Sequence, residues 1–143
     1  MAARFDITGI SKDGLIEIHS ALVPLTETER LMDQFGARAE HAMRGILYRE
    51  GESIMSGAKK QVPVETGTLR NSGFVELPEE SSGTLSVTIG FGGAAAPYAL
   101  RQHEDLTFHH KEGNAKFLAL PFYAAKPTMD GRFAAELKTE LGL

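Results

Sequence analysis

An α+β fold, with a long α-helix in the N-terminal half and a C-terminal helix packed on a small, mostly antiparallel β-sheet, is predicted by three patterns in this 143-residue chain. Apolar residues from Leu31 to Leu47 recur at spacings of three and four, the stripe of an amphipathic helix. Leu85, Val87, Ile89 and Phe91 alternate strictly with Ser86, Thr88 and Gly90, the period of a strand with one buried face. Met129, Phe133, Leu137 and Leu141 stand at i+4 steps, a second helical stripe. No internal repeat is visible, and helices grouped around a few strands place the chain in the α+β class.

Taken in order, Arg4 to Ile10 sets apolar Phe5 and Ile7 against polar Asp6 and Thr8, a short strand closed by Gly9. Leu15 to Val23 carries two patterns at once. Ile16 and Ile18 alternate as in a strand, whereas Leu15, Ile18 and Leu22 keep helical spacing, and the helical turn, stopped by Pro24, is preferred. Residues 1–25 form a candidate N-terminal arm of a single domain spanning 1–143.

Thr26-Glu27-Thr28-Glu29 reads as a capping box, the Thr26 hydroxyl accepting from the Glu29 amide while Glu29 reaches back. From there Leu31, Phe35, Ala39, Ala42 and Ile46, widened by Met32, Met43 and Leu47, predict a helix to about residue 61. Acidic residues begin it and Lys59-Lys60 end it, the order its dipole favours, and Glu40 and Arg44 form an i,i+4 pair. Gly36, Gly45, Gly51 and Gly57 each weaken this helix by up to about 1 kcal/mol relative to alanine. Kinking or close approach of a neighbouring subunit would account for them, and a break near Gly51 is the alternative.

Pro63 ends the helix and holds Val62 extended. Thr66-Gly67 then turns the chain. Phe74 to Leu77 predicts a short strand, Pro78 to Gly83 an exposed loop, and Leu85 to Phe91 the second arm of an antiparallel hairpin. Gly92 to Pro97 is a small-residue connector, Leu106 to Asn114 a polar loop, and Phe117 to Leu120 a further buried strand.

Composition bounds the function. The hydrophobic fraction of 42% and charged fraction of 24% are ordinary globular values. A formal charge of -4, with no basic run longer than Lys59-Lys60, argues against tight nucleic-acid binding. No cysteine is present, so disulfides and thiolate metal sites are excluded. No apolar run reaches membrane-spanning length and no signal-peptide core follows the first residues, which predicts a soluble, unsecreted chain.

Pro63-Val64-Glu65-Thr66-Gly67-Thr68-Leu69-Arg70-Asn71-Ser72, answered by Tyr98-Ala99-Leu100-Arg101-Gln102-His103-Glu104, is the most specific feature. The first segment resembles the signature of a family of small head–tail joining proteins of long-tailed bacteriophages, Pro-Val-Asp/Glu-Thr-Gly-x-Leu-Arg-x-Ser. The second resembles the tyrosine-containing segment that follows it there, and Gly113 to Leu118 with the helical tail resembles the closing segment, so the likeness runs over residues 26–143.

The family motif maps onto Pro63, Val64, Thr66, Gly67, Leu69, Arg70, Ser72, Tyr98, His103 and Glu104. What the resemblance implies is a structural virion protein of the neck: a homo-oligomeric ring of six or twelve copies, docked to head-closure or connector and tail proteins, without cofactor or membrane. DNA would pass its channel without specific binding, and mild acidity suits such a wall. The subunit would occupy the virion neck after assembly in the host cytoplasm. A tail terminator or minor capsid protein is the alternative within that class.

Read without the family, Pro63 stops a helix, Gly67 turns the chain, Leu69 plugs the core and Arg70 stays free for a carboxylate or a neighbouring subunit. Arg70, Arg101, His109, His110 and Lys111 are candidate interface residues. For Tyr98, core packing with its hydroxyl at the rim competes with an interface role.

The rival class is a small metal-dependent enzyme built on His103, His109 and His110, the densest patch of candidate ligands. Adjacent histidines fix no coordination geometry and no known zinc spacing is present, which favours exposed or interface histidines. No serine lies in a nucleophile-elbow context, and Gly90 to Gly93 lacks the lysine of a phosphate loop. The expectation is therefore a protein that is not an enzyme.

Overall fold

The computed structural model describes residues 2–11, 14–23, 25–62, 67–92 and 117–143, with the side chains of Arg4, Phe5 and Val23 in the first two strands. Five strands form one mixed sheet: β1 (Ala2–Ser11), β2 (Gly14–Val23), β3 (Phe74–Val75), β4 (Glu79–Ser81) and β5 (Thr84–Gly92). The order is β2-β1-β5-β3. β1 pairs parallel with β5 from Ala2 opposite Thr84 to Ile10 opposite Gly92, so one edge of β5 is filled along its length. β3 and β4 share the other edge, both antiparallel, at Ile89–Gly90 and Thr84–Ser86. Helices cover the face that carries Leu85, Val87, Ile89 and Phe91, all four buried as their alternation predicts. The α+β class is thereby established.

Leu15 to Val23 is strand, not the helical turn preferred from the sequence. β2 runs antiparallel to β1 with Ser11 opposite Gly14 and Ala3 opposite Val23. Nine residues hold a helix poorly in water, whereas pairing with β1 satisfies the backbone of the whole run. Residues 1–25, read as an arm, thus carry a central strand and its edge partner.

The long helix is two helices, α1 (Thr26–Phe35) and α2 (Ala37–Gln61). The break falls at Gly36, whose φ of 56° and ψ of -129° suit glycine alone among residues. Its amide still donates to the Met32 carbonyl at 2.9 Å, closing α1. α2 passes through Gly51 unbroken, so the alternative break near Gly51 is overturned. There the helix lies directly on the sheet: a Cβ at Gly51 would come within 3.1 Å of Val75 Cγ1 and Val87 Cγ1. Close approach of the chain's own sheet, and neither a kink nor a neighbouring subunit, accounts for that glycine. The predicted stripe is buried at Leu31, Met32, Ala39, Ala42, Met43, Ile46 and Leu47, with Phe35 packed partly against it.

The expected capping box does not form. Thr26 is already helical, Leu25 occupies the N-cap without a side-chain bond, and the Glu29 amide donates to the Leu25 carbonyl at 2.7 Å. Asp130, from the far end of the chain, supplies the cap. Its carboxylate accepts from the amides of Thr28 at 2.9 Å and Glu27 at 3.1 Å, and the Thr28 hydroxyl donates to its backbone carbonyl.

After Val62, extended as a residue before proline should be, the chain resumes at α3 (Thr68–Asn71) and enters β3. The strand expected over Phe74 to Leu77 is ordered as Phe74–Val75, and the expected loop Pro78 to Gly83 contains β4. β4 and β5 are joined by Ser82 and Gly83, both at positive φ (52° and 77°), the backbone of the tight turn whose twist matches a hairpin.

Phe117 to Leu120 is not a strand. Phe117 and Leu118 form a buried turn that leads into α4 (Ala119–Ala125), and a single 3-10 turn at Lys126–Thr128 connects to α5 (Met129–Leu141). Pro121 lies in the first turn of α4, where its missing amide costs nothing. Phe117 meets Phe91 edge-on at 5.1 Å and Phe122 meets Phe5 at 5.8 Å, sealing α4 onto β5 and β1. Met129, Phe133, Leu137 and Leu141 of α5 are buried as predicted.

Ionic contacts tie α5 to α2. Arg132 grips the nearly buried Glu50 with two hydrogen bonds, at 2.5 and 3.0 Å. Arg49 reaches Glu140 at 3.3 Å, and within α2 Glu40 and Arg44 pair at 3.1 Å as foreseen. No helix among the described residues is long and apolar enough to cross a membrane.

Candidate interface site

Of the signature residues, Gly67, Leu69, Arg70 and Ser72 are described, while Pro63, Val64 and Thr66 lie outside the described residues. Gly67 takes the left-handed conformation, φ 80° and ψ -7°, and starts α3. That turn aims Leu69 inward, where it is 3% exposed, and Arg70 outward. The Ser72 hydroxyl donates to the Leu69 carbonyl at 2.6 Å, holding the end of α3. The residues divide the labour as the structural reading expects: a turn, a plug and a presented cation.

α3 is pinned to α2 at Gly73. A Cβ there would fall 2.8 Å from Met55 Sδ, 2.9 Å from Lys59 Cε and 2.9 Å from Phe91 Cε1. Contacts this short leave room for hydrogen alone, so the backbone after Ser72 seats directly on the last turns of α2.

The result is an open groove of about 470 Å³ between α2 and α3, lined by Glu52, Met55, Ser56, Lys59, Lys60 and Arg70. Lys60 and Arg70 are exposed and Lys59 half-buried, with buried Met55 as an apolar floor. Among the described residues no carboxylate forms an ion pair with these three cations. Glu52 faces another demand: its hydrogen bond with Tyr48 pushes the Tyr48 hydroxyl above its ordinary pKa. A groove with three cations around an apolar floor suits carboxylates carried on a protein segment.

Toward the N-terminal half of α2 the surface reverses sign. The β4–β5 hairpin presents Glu79 and Glu80, both exposed, next to Leu77, which is 76% exposed. Its base is anchored where Arg44 Nη1 donates to the Pro78 carbonyl at 3.2 Å, and its tip where the Gly83 amide donates to Glu80 at 3.0 Å. In sequence this stretch reads as an exposed loop and Lys59-Lys60 as a helix-end charge. The local signals, a turn with two glutamates and a two-lysine run, carry no hint of where the fold sets them.

Tyr98, Arg101, His103, Glu104, His109, His110 and Lys111 lie outside the described residues. Among the described residues no group of three or more His, Cys, Asp or Glu could hold a metal ion. Compared with known proteins, the chain matches no family model, no curated protein and no solved structure.

Proposed function

We propose that the chain is a structural virion protein of a tailed bacteriophage, a neck or head–tail joining subunit that forms a ring between head and tail. The resemblance of Pro63 to Ser72 and Tyr98 to Glu104 to that family's signature motivates the reading. The observation that carries it is the placement of Arg70: the signature's arginine is presented on an open cationic groove and is not consumed by the core. Its neighbours in the particle are head-closure or connector proteins on one side and tail proteins on the other, and its activity is docking. The formal charge of -4 agrees with a channel wall that lets DNA slide past.

The test is location. In purified particles, density for this subunit is expected as a ring at the head–tail junction, and particles made without the chain should accumulate as separate heads and tails. Density in the terminator ring of the tail or in the capsid shell would move the chain to the tail-terminator or minor-capsid role. Complete, infectious particles lacking it would overturn the reading.

A further inference from the structure

We propose that copies of this chain join head to tail, the acidic β4–β5 hairpin of one copy entering the basic α2–α3 groove of the next. The proposal deepens the ring reading by naming the two faces, and it rests on that reading only in requiring that copies meet.

Three observations carry it. The first is charge: Glu79 and Glu80 on the hairpin answer Lys59, Lys60 and Arg70 in the groove. Opposed patches steer two copies into one register and reject like-charged faces. The second is an apolar anchor. Leu77 is the most exposed large hydrophobic residue among those described, and the groove offers Met55 as floor. An aliphatic knob ringed by charges, entering a pocket with an apolar base and a charged rim, is the common anatomy of a protein interface.

The third observation is position. The hairpin is held at Arg44, in the N-terminal half of α2, and the groove lies around Met55 to Lys60 in its last turns, so the acidic and basic surfaces occupy different stretches of the helix. Among the described residues no ion pair joins Glu79 or Glu80 to Lys59, Lys60 or Arg70 within one copy. Two different faces that complement each other make a heterologous contact, which closes into a ring or runs on as a filament. The hairpin is also preorganised, by the Arg44 contact at its base and the Ser82-Gly83 turn at its tip, so little order is lost on docking.

The chain has no cysteine, which allows a direct trap. A full-length variant carrying Ser56→Cys in the groove and Leu77→Cys on the hairpin is oxidised at high protein concentration and run on a non-reducing gel. A disulfide within one copy runs as a monomer, so only bonds between copies build a ladder. The expected result is a ladder of trimers and larger species, whereas each single-cysteine variant stops at dimers. Adding Lys59→Glu and Lys60→Glu should abolish the ladder, and further adding Glu79→Lys and Glu80→Lys should restore it. Ser56, Lys60, Leu77, Glu79 and Glu80 are exposed and Lys59 is half-buried, and circular dichroism on each variant checks that it is folded. No species beyond dimer from the double-cysteine protein, or a ladder indifferent to charge reversal, overturns the proposal. A ladder from a chain absent from the head–tail junction removes the neck reading and leaves this contact standing; a ring at the junction without a ladder does the reverse.

Discussion

Asp130 accepts a hydrogen bond from the amide of Thr28 at 2.9 Å, so the first turn of α1 is capped by the first turn of α5. The carboxylate also takes the Glu27 amide, and a single side chain thereby closes one helix and docks another onto it. Burial alone pushes the Asp130 carboxyl up, but the amides of Thr28 and Glu27 and the contact with the Thr28 side chain prevail and hold it below its ordinary value.

Removing that cap with Asp130→Ala should cost about 1 kcal/mol at neutral pH, read as a lower urea midpoint. Because the folded carboxyl ionises at lower pH than the unfolded one, its contribution is complete above the ordinary value of 3.8 and fades as pH falls through the folded value. Wild type and variant should therefore converge in stability in acid, below the ordinary range. A gap that stays constant with pH would mean that the charge is not what caps α1.

Glu50 is 8% exposed while its partner Arg132 is 42% exposed, so the pair is one-sided. Truncating Arg132 to alanine strands a nearly buried carboxylate and should cost about 2–3 kcal/mol, below the full penalty for a buried pair because water reaches the arginine side. Replacing both, Glu50→Leu with Arg132→Leu, should recover most of that loss. A double-mutant cycle by chemical denaturation measures it, and equal losses in single and double variants would contradict the argument.

Two glycines in helices should respond oppositely. At Gly51 a side chain meets Val75, Val87 and Ile89, so Gly51→Leu should lower stability by about 1–3 kcal/mol through overpacking. At Gly131 a Cβ has nothing within 4 Å, and Gly131→Ala should raise stability by about 0.5–1 kcal/mol from helix propensity. Thermal melts of the two variants, shifted in opposite directions, are the check.

The signature should separate into a folding residue and a docking residue. Leu69→Ala removes a side chain that is 3% exposed and should cost about 2–5 kcal/mol. Arg70→Ala changes an exposed side chain and should stay within about 0.5 kcal/mol of wild type in a melt while weakening self-association by sedimentation. Strong destabilisation from the arginine variant would make it a structural residue.

Where a pattern was long enough to name its own face, the sequence could be read directly. The i+4 spacing of α5 and the alternation of β5 each mark four residues, and every residue so marked is buried. Where the decisive partner is remote, it could not. The capping box at Thr26 is locally sound but yields to Asp130, because a carboxylate from α5 offers two acceptors to the same amides. Four glycines in the long helix look alike in sequence, yet Gly36 breaks it and Gly51 seats it on a sheet that the helix pattern does not reveal. Phe117 to Leu120 is too short for periodicity to choose between helix and strand. Pro121 in the first turn of a helix, with Phe122 returning to the face of Leu118, was the available clue. The groove escaped notice because Lys59, Lys60 and Arg70 come together only when Gly73 seats α3 on α2.

The parallel pairing of β1 with β5 sets a timetable for the newborn chain. Ala2 is synthesised before its neighbour Thr84, with α1 and α2 made in between, so β1 waits unpaired on that edge until β5 emerges. Closing so wide a loop is entropically demanding and slow. During that interval the β1–β2 hairpin is the piece most exposed to mispairing with other nascent chains.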